Sequence, residues 1–359
     1  MSDFLIVGGG IAGVSAAARL SHLGSVTVLE AEAGLGYHAS GRSAAMFEET
    51  YGLPSTIALN RASRDYHMTA NGGVLGDRGL MLLGTRDNRD AFARDMAAMS
   101  MHAITVEEAR AMVPILDPSV ITQAGHHAEA WDIDTDRLIQ NFAREARGNG
   151  ATFHLNSRVA DIRRTANGWS VETPDRAHDA RLLVNAAGAW ADHIAHLAGV
   201  RPIRLQPFRR SMARIPAPGG HDVRAWPMLF GPGETWYAKP DAGKLLVSPA
   251  DEDPVEPHDA WADDMVLAEG LARYEAHVTE PVTRLEHSWA GLRSFAPDRN
   301  LVIGFAPDEP RFFWLAGQGG YGIQTSPAAS LLAADLIAGR APEIDAGTVA
   351  RLDPARFAT

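Results

Sequence analysis

The feature that most constrains this chain is the order of predicted elements in its first thirty residues. An apolar strand, Phe4 to Val7, runs into glycines with the G-x-G-x-x-G spacing, and an alanine-rich helix and a second strand, VTVL, follow before Glu30. Gly8 allows a tight turn, Gly10 a close approach to a pyrophosphate, and Gly13 close packing of helix on strand. Glu30 can accept hydrogen bonds from ribose hydroxyls and disfavours the 2′-phosphate of NADP. The sequence therefore predicts a dinucleotide-binding βαβ unit.

A second glycine cluster follows the apolar stretch FFWLA near the end of the chain. Gly317, Gly319 and Gly322 repeat the same spacing, and one helix is predicted after them, from about Ser326 to Ala338. No second apolar strand with a terminal acid follows, so this turn lacks a ribose site of its own. We expect its helix N-terminus to face electron-rich oxygens at the other end of the same ligand, which in a flavin is the N1/C2=O edge.

The loop after Glu30, AEAGLGYHASGRSAAMF, favours FAD over NAD. A chain that binds NAD normally continues into further βα units, whereas a long small-residue loop can cover a longer dinucleotide. Arg42 could contact phosphate, and Ser43 with a following helix N-terminus could hold more of it; the alternative is a solvated loop with a capping serine. Later, after an apolar stretch, Ala187 and Gly188 would let the backbone approach the adenosine or the diphosphate.

Composition and charge limit the possible partners. With 359 residues, of which 46% are hydrophobic, the chain is long enough for about two domains. Its formal net charge of -11 argues against a nucleic-acid or anionic membrane partner, so a small ligand is expected. The sequence contains no cysteine, which excludes disulfides, thiolate metal sites and a cysteinyl cofactor link. Without a signal peptide or an apolar membrane span, the expected location is cytoplasmic.

The rest of the pattern predicts an α/β protein with two domains. Residues 54–70 and 136–147 are predicted helices, 80–84 a strand, and 205–290 alternating strands such as TWYAKP and GKLLVSP. We predict a Rossmann-like FAD-binding domain with an inserted α+β substrate domain built on an antiparallel sheet. The predicted boundaries are 1–78, 137–205 and 294–359 for the FAD-binding domain, and 79–136 and 206–293 for the substrate-binding domain. No metal site is expected.

Longer motifs resemble one enzyme family along nearly the whole chain. They are GGGIAG, GYHASGRSAA, DIDTDRL, LVNAAGAW, LQPFRRS, YAKPDAGKLL, WAGLRSF and QGGYGIQT. With them the chain resembles the D-amino-acid oxidase and glycine oxidase family of FAD enzymes, and most closely bacterial D-arginine dehydrogenase. The resemblance implies non-covalent FAD and hydride transfer from a substrate carbon to flavin N5. The product would be an imino acid that hydrolyses to a keto acid and ammonia.

The resemblance also implies a set of residues around the substrate: Arg293, Arg210, Tyr51, Tyr237 and Gly320. Arg293 in WAGLRSF matches the carboxylate clamp of the family, and a planar guanidinium suits two-point binding of a carboxylate. Arg210 would lie near the ligand, although the adjacent Arg209 could be the inward-facing residue. The two tyrosines would flank the substrate, and Gly320 would offer its backbone carbonyl to the amine.

Two departures from the family pattern bear on the substrate and the electron acceptor. The acid that grips the guanidinium in D-arginine dehydrogenase falls at Leu80, which cannot pair a buried cation; Glu48 could meet one instead. With Met46, Met228 and Phe230 expected beside it, the pocket favours a broad or apolar D-amino acid. The lysine that faces N5 in some oxidases falls at Leu246, with Lys244 close by. This favours a dehydrogenase that uses a quinone or another acceptor.

Two other functions stay open at this stage. One is an oxidase of glycine or secondary amines that uses oxygen. The other is a flavin-bearing subunit of a hetero-oligomeric dehydrogenase complex, inactive without its partner.

Overall fold

The computed structural model describes residues 1–357. The strands of this part of the chain are β1 (Ser2–Val7), β2 (Val26–Leu29), β3 (Met46–Phe47), β4 (Leu75–Asp77), β5 (Leu80–Gly84), β6 (His102–Ile104), β7 (Gln123–His127), β8 (Trp131–Ile133), β9 (Thr152–His154), β10 (Asp161–Thr165), β11 (Gly168–Glu172), β12 (Ala177–Asn185), β13 (Gln206–Ile215), β14 (Met228–Phe230), β15 (Tyr237–Asp241), β16 (Lys244–Ser248), β17 (Asp253–Pro254), β18 (His287–Phe295), β19 (Val302–Ala306) and β20 (Glu309–Ala316). The α-helices are α1 (Ile11–Leu20), α2 (Pro54–Thr69), α3 (Arg89–Ala98), α4 (Val106–Met112), α5 (Thr135–Gly148), α6 (Ala191–Leu197), α7 (Asp264–Glu275), α8 (Gly322–Ala338) and α9 (Ala346–Leu352). Within residues 1–357, no helix is both long enough and apolar enough to cross a bilayer.

The first sheet has eight strands and contains the predicted βαβ unit. Its order is β10-β11-β12-β1-β2-β9, and β20 pairs with β12 and with β19. Strands β1, β2, β9, β12 and β20 run parallel. Val7 at the end of β1 lies between Leu29 of β2 and Asn185 of β12. The carboxyl ends of these strands therefore meet at one edge, where ligands of open α/β sheets bind.

The second sheet has nine strands and comes from the regions predicted to form the substrate domain. Its order is β17-β13-β16-β15-β14-β5-β7-β6, with β18 on β13. The predicted antiparallel sheet is wrong in one detail, because β14 runs parallel to β5, with Met228 beside Leu80. A small third sheet has the order β3-β8-β4. The α/β fold class is confirmed. The domain boundaries stay predictions, and β18 crosses the one predicted between residues 293 and 294.

Most individual elements agree with the sequence prediction. The helix predicted over 136–147 is α5, and Asp134 caps it by accepting a hydrogen bond from the Arg137 amide. The helix predicted after Ser43 is wrong. Ala45 there adopts a positive φ of 43°, and the short strand β3 follows.

Helix α8 begins at Gly322, four residues before the predicted start at Ser326. Pro327 lies inside it and cannot donate to the carbonyl of Ile323, which normally ends a helix. The hydroxyl of Ser326 donates to that carbonyl at 2.9 Å instead. This substitute hydrogen bond explains how the helix can start before the proline and extend to the glycine turn.

Helix α1 packs on β1 through glycine. A Cβ atom at Gly13 would overlap the carbonyl oxygen of Gly8, whereas one at Gly148, the last residue of α5, would meet nothing within 4 Å. The first site therefore has no space for a methyl group, and the second has.

These two helical glycines give a matched test of the packing. We expect Gly13→Ala to lower the free energy of unfolding by about 1–3 kcal/mol because backbone must shift to relieve the overlap. Gly148→Ala is expected to leave it unchanged or raise it by up to about 1 kcal/mol. Thermal unfolding of both variants measures the difference, and equal stabilities would contradict the close approach of α1 to β1.

Helices α2 and α8 meet at a buried polar seam. His67 of α2 is fully buried, and its Nε2 donates to the Gln324 carbonyl of α8 at 2.8 Å. Burial lowers the pKa of His67 from 6.5 to about 4, although this hydrogen bond opposes the shift. The neutral imidazole therefore helps to hold α8 in place.

The lowered pKa predicts a loss of stability in acid. Between pH 6.5 and about 4 the unfolded chain binds a proton at this imidazole and the folded protein does not. As the pH decreases from 6.5 to about 4, the free energy of unfolding should therefore decrease, by up to about 3 kcal/mol from this residue. Unfolding of wild type and His67→Gln at a series of pH values should show a shallower loss in the variant. Parallel curves would refute the assignment.

Candidate functional site

One cavity of about 460 Å³ lies at the carboxyl edge of the first sheet and reaches the second sheet. Both glycine turns border it, with Gly8 and Gly10 from the first and Gly319, Gly320 and Gly322 from the second. The N-termini of α1 and α8 thus face the same space, and their free N–H groups and partial positive charge favour an anionic or electron-rich ligand there.

The wall at the first turn lacks side chains where the backbones approach. Gly8 has a φ of 110°, and a Cβ atom there would overlap the carbonyl oxygen of Ala186. Beside it, Glu30 accepts hydrogen bonds from the amides of Gly9 at 2.6 Å and Glu32 at 2.8 Å. These two contacts hold the Glu30 carboxylate at the wall of the cavity. Predicted residues 187 and 188 line the same region.

The sequence prediction missed several residues of this wall. Ser40 accepts a hydrogen bond from the Ile11 amide at 3.0 Å and so caps α1 from 29 positions away. Trp190 and His193 also line the cavity. A serine in this loop could be expected to cap a helix, but only the structure shows that Ser40 caps α1. Among the described residues no group of three or more potential ligands could hold a metal ion.

Arg42 and Ser43 line the cavity, but their observed partners are protein atoms. The Arg42 guanidinium donates to Asp259 and to the carbonyls of Tyr37, Ala260 and Ala290. Ser43 Oγ accepts a hydrogen bond from the Ala45 amide. Both residues were predicted to contact phosphate. Their observed hydrogen bonds do not support this, and the phosphate contacts stay predictions.

The second turn has polar atoms without protein partners. Ser294 Oγ and Gln318 Nε2 are buried and lack a hydrogen-bond partner within residues 1–357, and both residues line the cavity. A buried polar group costs free energy unless it is hydrogen-bonded. These two atoms therefore fit a ligand that offers complementary polar atoms beside the second turn.

Two arginines extend from neighbouring antiparallel strands toward the cavity. Phe208 of β13 lies opposite Arg293 of β18, and Arg210 lies opposite Gly291, so both arginines are on the same face of the sheet. Arg209 faces the other way and donates to Asp251 and Asp253. Of the alternatives left open by the sequence, Arg210 is the inward-facing residue.

Arg210 is only 8% exposed and is incompletely bonded. Its Nε and Nη1 atoms lack hydrogen-bond partners within residues 1–357. The nearest carboxylate contacts are Glu234, 4.0 Å from Nη1, and Glu252, 3.9 Å from Nη2. The charge of Arg210 is therefore partly balanced, while its hydrogen-bonding capacity is not filled.

Arg293 lies against the second turn. A Cβ atom at Gly320 would be 3.0 Å from its Cζ, so a side chain there would be in tight contact with the guanidinium. Burial alone would lower the pKa of Arg293, but Tyr51, Tyr237 and Glu234 raise it above its ordinary value. Unlike Arg210, Arg293 has no carboxylate within 4.0 Å in residues 1–357. It is a charged group available to an anionic ligand.

Tyr51 is fixed near Arg293 by an acid. Its hydroxyl donates to Glu234 Oε1 at 2.6 Å, and its ring centroid is 5.4 Å from that of Tyr321. Burial and the Glu234 charge raise the pKa of Tyr51 well above its ordinary value, so the phenol stays protonated. The sequence prediction missed Glu234 and Tyr321, because no local pattern connects them to Tyr51.

The residues predicted to form the substrate side-chain pocket do not line this cavity, which corrects the sequence prediction for Met46, Glu48, Leu80, Met228 and Phe230. Leu80, Phe230 and Tyr237 form a buried cluster to which six methionines belong or pack closely: Met46, Met96, Met99, Met101, Met212 and Met228. Of these residues, Tyr237 and Met212 line the cavity.

Glu48 is only 4% exposed and is engaged away from the cavity. It accepts hydrogen bonds from Thr50, and its Oε2 is 3.2 Å from His127 Nε2. Burial raises the pKa of Glu48, opposed by the Thr50 hydrogen bonds and the His127 charge. The structure therefore does not place this carboxylate where a bound cation would meet it.

The next residues are Leu246, which stands at the position of the lysine that some oxidases use, and the two lysines near it. Leu246 packs in the methionine-rich cluster, and Lys244 pairs with Glu286 at 2.8 Å. Lys239, opposite Leu246 on β15, is buried, donates to the Ala44 carbonyl and is 2.8 Å from Asp132. Lys239 was missed because its partners are far away in the sequence.

Comparison with known proteins gives a consistent result. The family model DAO, described as FAD dependent oxidoreductase, matches residues 3–336. Human mitochondrial dimethylglycine dehydrogenase is 26% identical over 99% of this chain, which spans only 44% of that relative. The solved structure of L-proline dehydrogenase from P. horikoshii has a TM-score of 0.84 at 22% identity, covering 99% of this chain and 98% of that one. For glycine oxidase from Geobacillus kaustophilus the TM-score is 0.82 at 23% identity, covering 96% of both chains.

The cavity fits the cofactor of this family. The side-chain-free wall at Gly8, the held carboxylate of Glu30 and the two helix N-termini suit the pyrophosphate and ribose of FAD. The unpartnered polar atoms of Ser294 and Gln318 suit the polar atoms of its other end.

Proposed function

We propose a reaction for this protein, which belongs to the DAO family of FAD-dependent oxidoreductases. The proposed reaction is the oxidative deamination of a D-amino acid to an imino acid and then a keto acid. The supporting observation is Arg293, a charged guanidinium beside the second glycine turn with no carboxylate within 4.0 Å in the described residues. A carboxylate is the ligand that a planar guanidinium binds best.

The names of the similar proteins support an amino-acid substrate. Dimethylglycine, glycine and L-proline each carry an amine and a carboxylate on the same carbon. We therefore keep an oxidase or dehydrogenase of glycine or a secondary amine as the second candidate. The D-configuration is proposed from the motif resemblance.

Bound FAD supplies the acceptor for the hydride of the substrate α-carbon. The protein residues bind and orient the substrate: Arg293 holds the carboxylate, with Arg210 beside it on the same sheet face. Tyr237 lines the cavity, and its hydroxyl can donate to the carboxylate. The Tyr51 hydroxyl already donates to Glu234, so Tyr51 is proposed to flank the substrate without donating to it. The Gly320 carbonyl accepts a hydrogen bond from the substrate amine. Positioning of this kind is the main contribution expected of the protein.

The proposed side-chain preference is broad or apolar. The cluster around Leu80 and Phe230 is rich in methionine, whose flexible side chain adapts to different shapes. Glu48, which a cationic side chain would need, is occupied by Thr50 and His127. Arginine is therefore not the proposed substrate.

The proposed electron acceptor is a quinone or another small carrier. Leu246 is apolar, and the nearby Lys244 pairs with Glu286, so neither brings a free positive charge to the cavity. The proposed enzyme is a dehydrogenase, and peroxide formation that matches substrate loss would favour the oxidase instead.

An anaerobic reduction panel tests the substrate proposal. Holo-protein is mixed with apolar D-amino acids, their L-enantiomers, D-arginine, glycine and N-methylated glycines, and loss of the visible flavin absorbance is followed. We expect fast bleaching with the apolar D-amino acids. Bleaching only by glycine derivatives would support the second candidate. No bleaching by any amine would overturn both and indicate a subunit that needs a partner.

Replacement of Arg293 tests the carboxylate clamp. We expect Arg293→Met to weaken binding of a non-oxidisable carboxylate such as benzoate by about 2–5 kcal/mol, because a buried charge pair is lost. Arg209→Met is the matched control, since Arg209 lies on the same strand as Arg210 but pairs with Asp251 and Asp253. Spectral titration of the flavin measures both affinities, and equal effects would rule out the clamp.

A further inference from the structure

A loop of the second sheet closes one side of the cofactor cavity. Residues 256–262, between β17 and α7, are here named the strap. Its residues His258 and Ala260 line the cavity, opposite the loop of residues 36–44 that follows the first βαβ unit. The strap therefore forms part of the cavity wall, a role that the sequence analysis did not predict.

Arg42 joins the two loops. Its Nη2 is 2.6 Å from Asp259 Oδ1, and its Nη1 donates to the carbonyls of Ala260 at 2.9 Å and Ala290 at 3.0 Å. Nε donates to the Tyr37 carbonyl at 3.2 Å, within its own loop. A planar guanidinium with five N–H groups can reach four acceptors at once, whereas an ammonium group cannot match this geometry.

The backbone of Arg42 is held as well. Its carbonyl accepts a hydrogen bond from Trp289 Nε1 at 3.1 Å. The Arg42 side chain is only 15% exposed, whereas the side chain of its partner Asp259 is 56% exposed. The loop 36–44 is thus fixed to β18 from one side and to the strap from the other.

Asp259 is the partner on the strap. It also accepts from the Tyr37 hydroxyl at 3.2 Å, and His38 Nδ1 lies 3.7 Å away. Burial raises the pKa of Asp259, but the hydrogen bonds from Arg42 and Tyr37 and the Arg42 charge lower it below its ordinary value. The carboxylate is therefore ionised at neutral pH and available to fasten the strap.

We propose that Arg42 and Asp259 fasten the strap over the bound cofactor and so set how slowly FAD leaves. Arg42 acts as a positioning residue that joins two walls of the cavity. When the pair is broken, the strap can move away from residues 36–44, and the dinucleotide can dissociate without unfolding of either sheet. The proposal rests on FAD binding and does not depend on which substrate is oxidised.

The test measures FAD release from holo-protein in the absence of substrate. Holo-protein is diluted into cofactor-free buffer, and the rise of free-flavin fluorescence gives the dissociation rate. We expect Asp259→Asn and Arg42→Lys each to raise this rate by about tenfold, because each removes a charge-assisted hydrogen bond. Asp259→Asn keeps the side-chain shape at a position that is 56% exposed, so it is the variant most certain to fold.

The matched control is Arg356→Lys. The Arg356 side chain is also 15% exposed, and it likewise joins an aspartate, Asp298, to several backbone carbonyls. It does not line the cavity. This control separates a local effect on the strap from general destabilisation.

Each result decides the proposal. Faster release from both Arg42→Lys and Asp259→Asn, with normal release from Arg356→Lys, supports the strap. Faster release from Arg42→Lys alone would show that Arg42 binds the cofactor directly and would overturn the role of Asp259. Equal release from all three variants would also overturn it. Because no substrate is present, these outcomes are independent of the reduction panel.

Discussion

The site depends on backbones that approach one another closely at the carboxyl end of β1. Gly8 and Gly13 leave no room for a Cβ atom, because one would overlap the Ala186 carbonyl and the other the Gly8 carbonyl. This contact brings α1, β1 and the end of β12 together. A side chain at either position would push these segments apart and so disturb the wall of the cavity at Gly8 and Gly10. The first half of the cavity is therefore built by the absence of side chains.

The second half of the cavity depends on two positively charged side chains whose positions are set by the pairing of two strands. Pairing of β13 with β18 puts Arg210 and Arg293 on one face. Burying a guanidinium is costly unless it is paired. Arg210 is partly compensated by Glu234 and Glu252, whereas phenols surround Arg293. In the proposed reaction the substrate carboxylate pairs with Arg293. Binding therefore offsets part of the free-energy cost of burying that guanidinium.

The parts of the molecule that sequence could predict are those encoded locally. Strand β1, the glycine turn and Glu30 follow one another within thirty residues, and the Asp134 cap lies beside its helix. Helix α8 was placed too late because a serine followed by proline, Ser326 and Pro327, is typical of a helix start. The Ser326 hydroxyl that replaces the lost hydrogen bond is seen only in the structure. Arg293 was named from its motif alone, whereas the choice between Arg209 and Arg210 stayed open until the strand register was known.

Contacts between segments that are distant in the chain could not be predicted from the sequence. Arg42 was expected to meet phosphate, yet its partners on the strap and β18 lie more than two hundred positions away. Lys239, Glu234 and Ser40 also gain their roles only from such contacts. No periodicity or spacing within the chain records them. They become visible only when the two sheets are assembled.

The parts of the site differ in how strongly they can discriminate between substrates. An apolar pocket separates side chains that differ by one methylene by only about 1–3 kcal/mol. Methionine adapts its shape to its neighbours, so a substrate pocket next to the methionine-rich cluster would discriminate less still. Hydrogen-bonded recognition discriminates more strongly, because a wrong ligand leaves buried polar groups unpaired. In the proposed reaction, selectivity must then come from the amine and carboxylate end of the substrate, where Arg293 lies against Gly320 of the second turn.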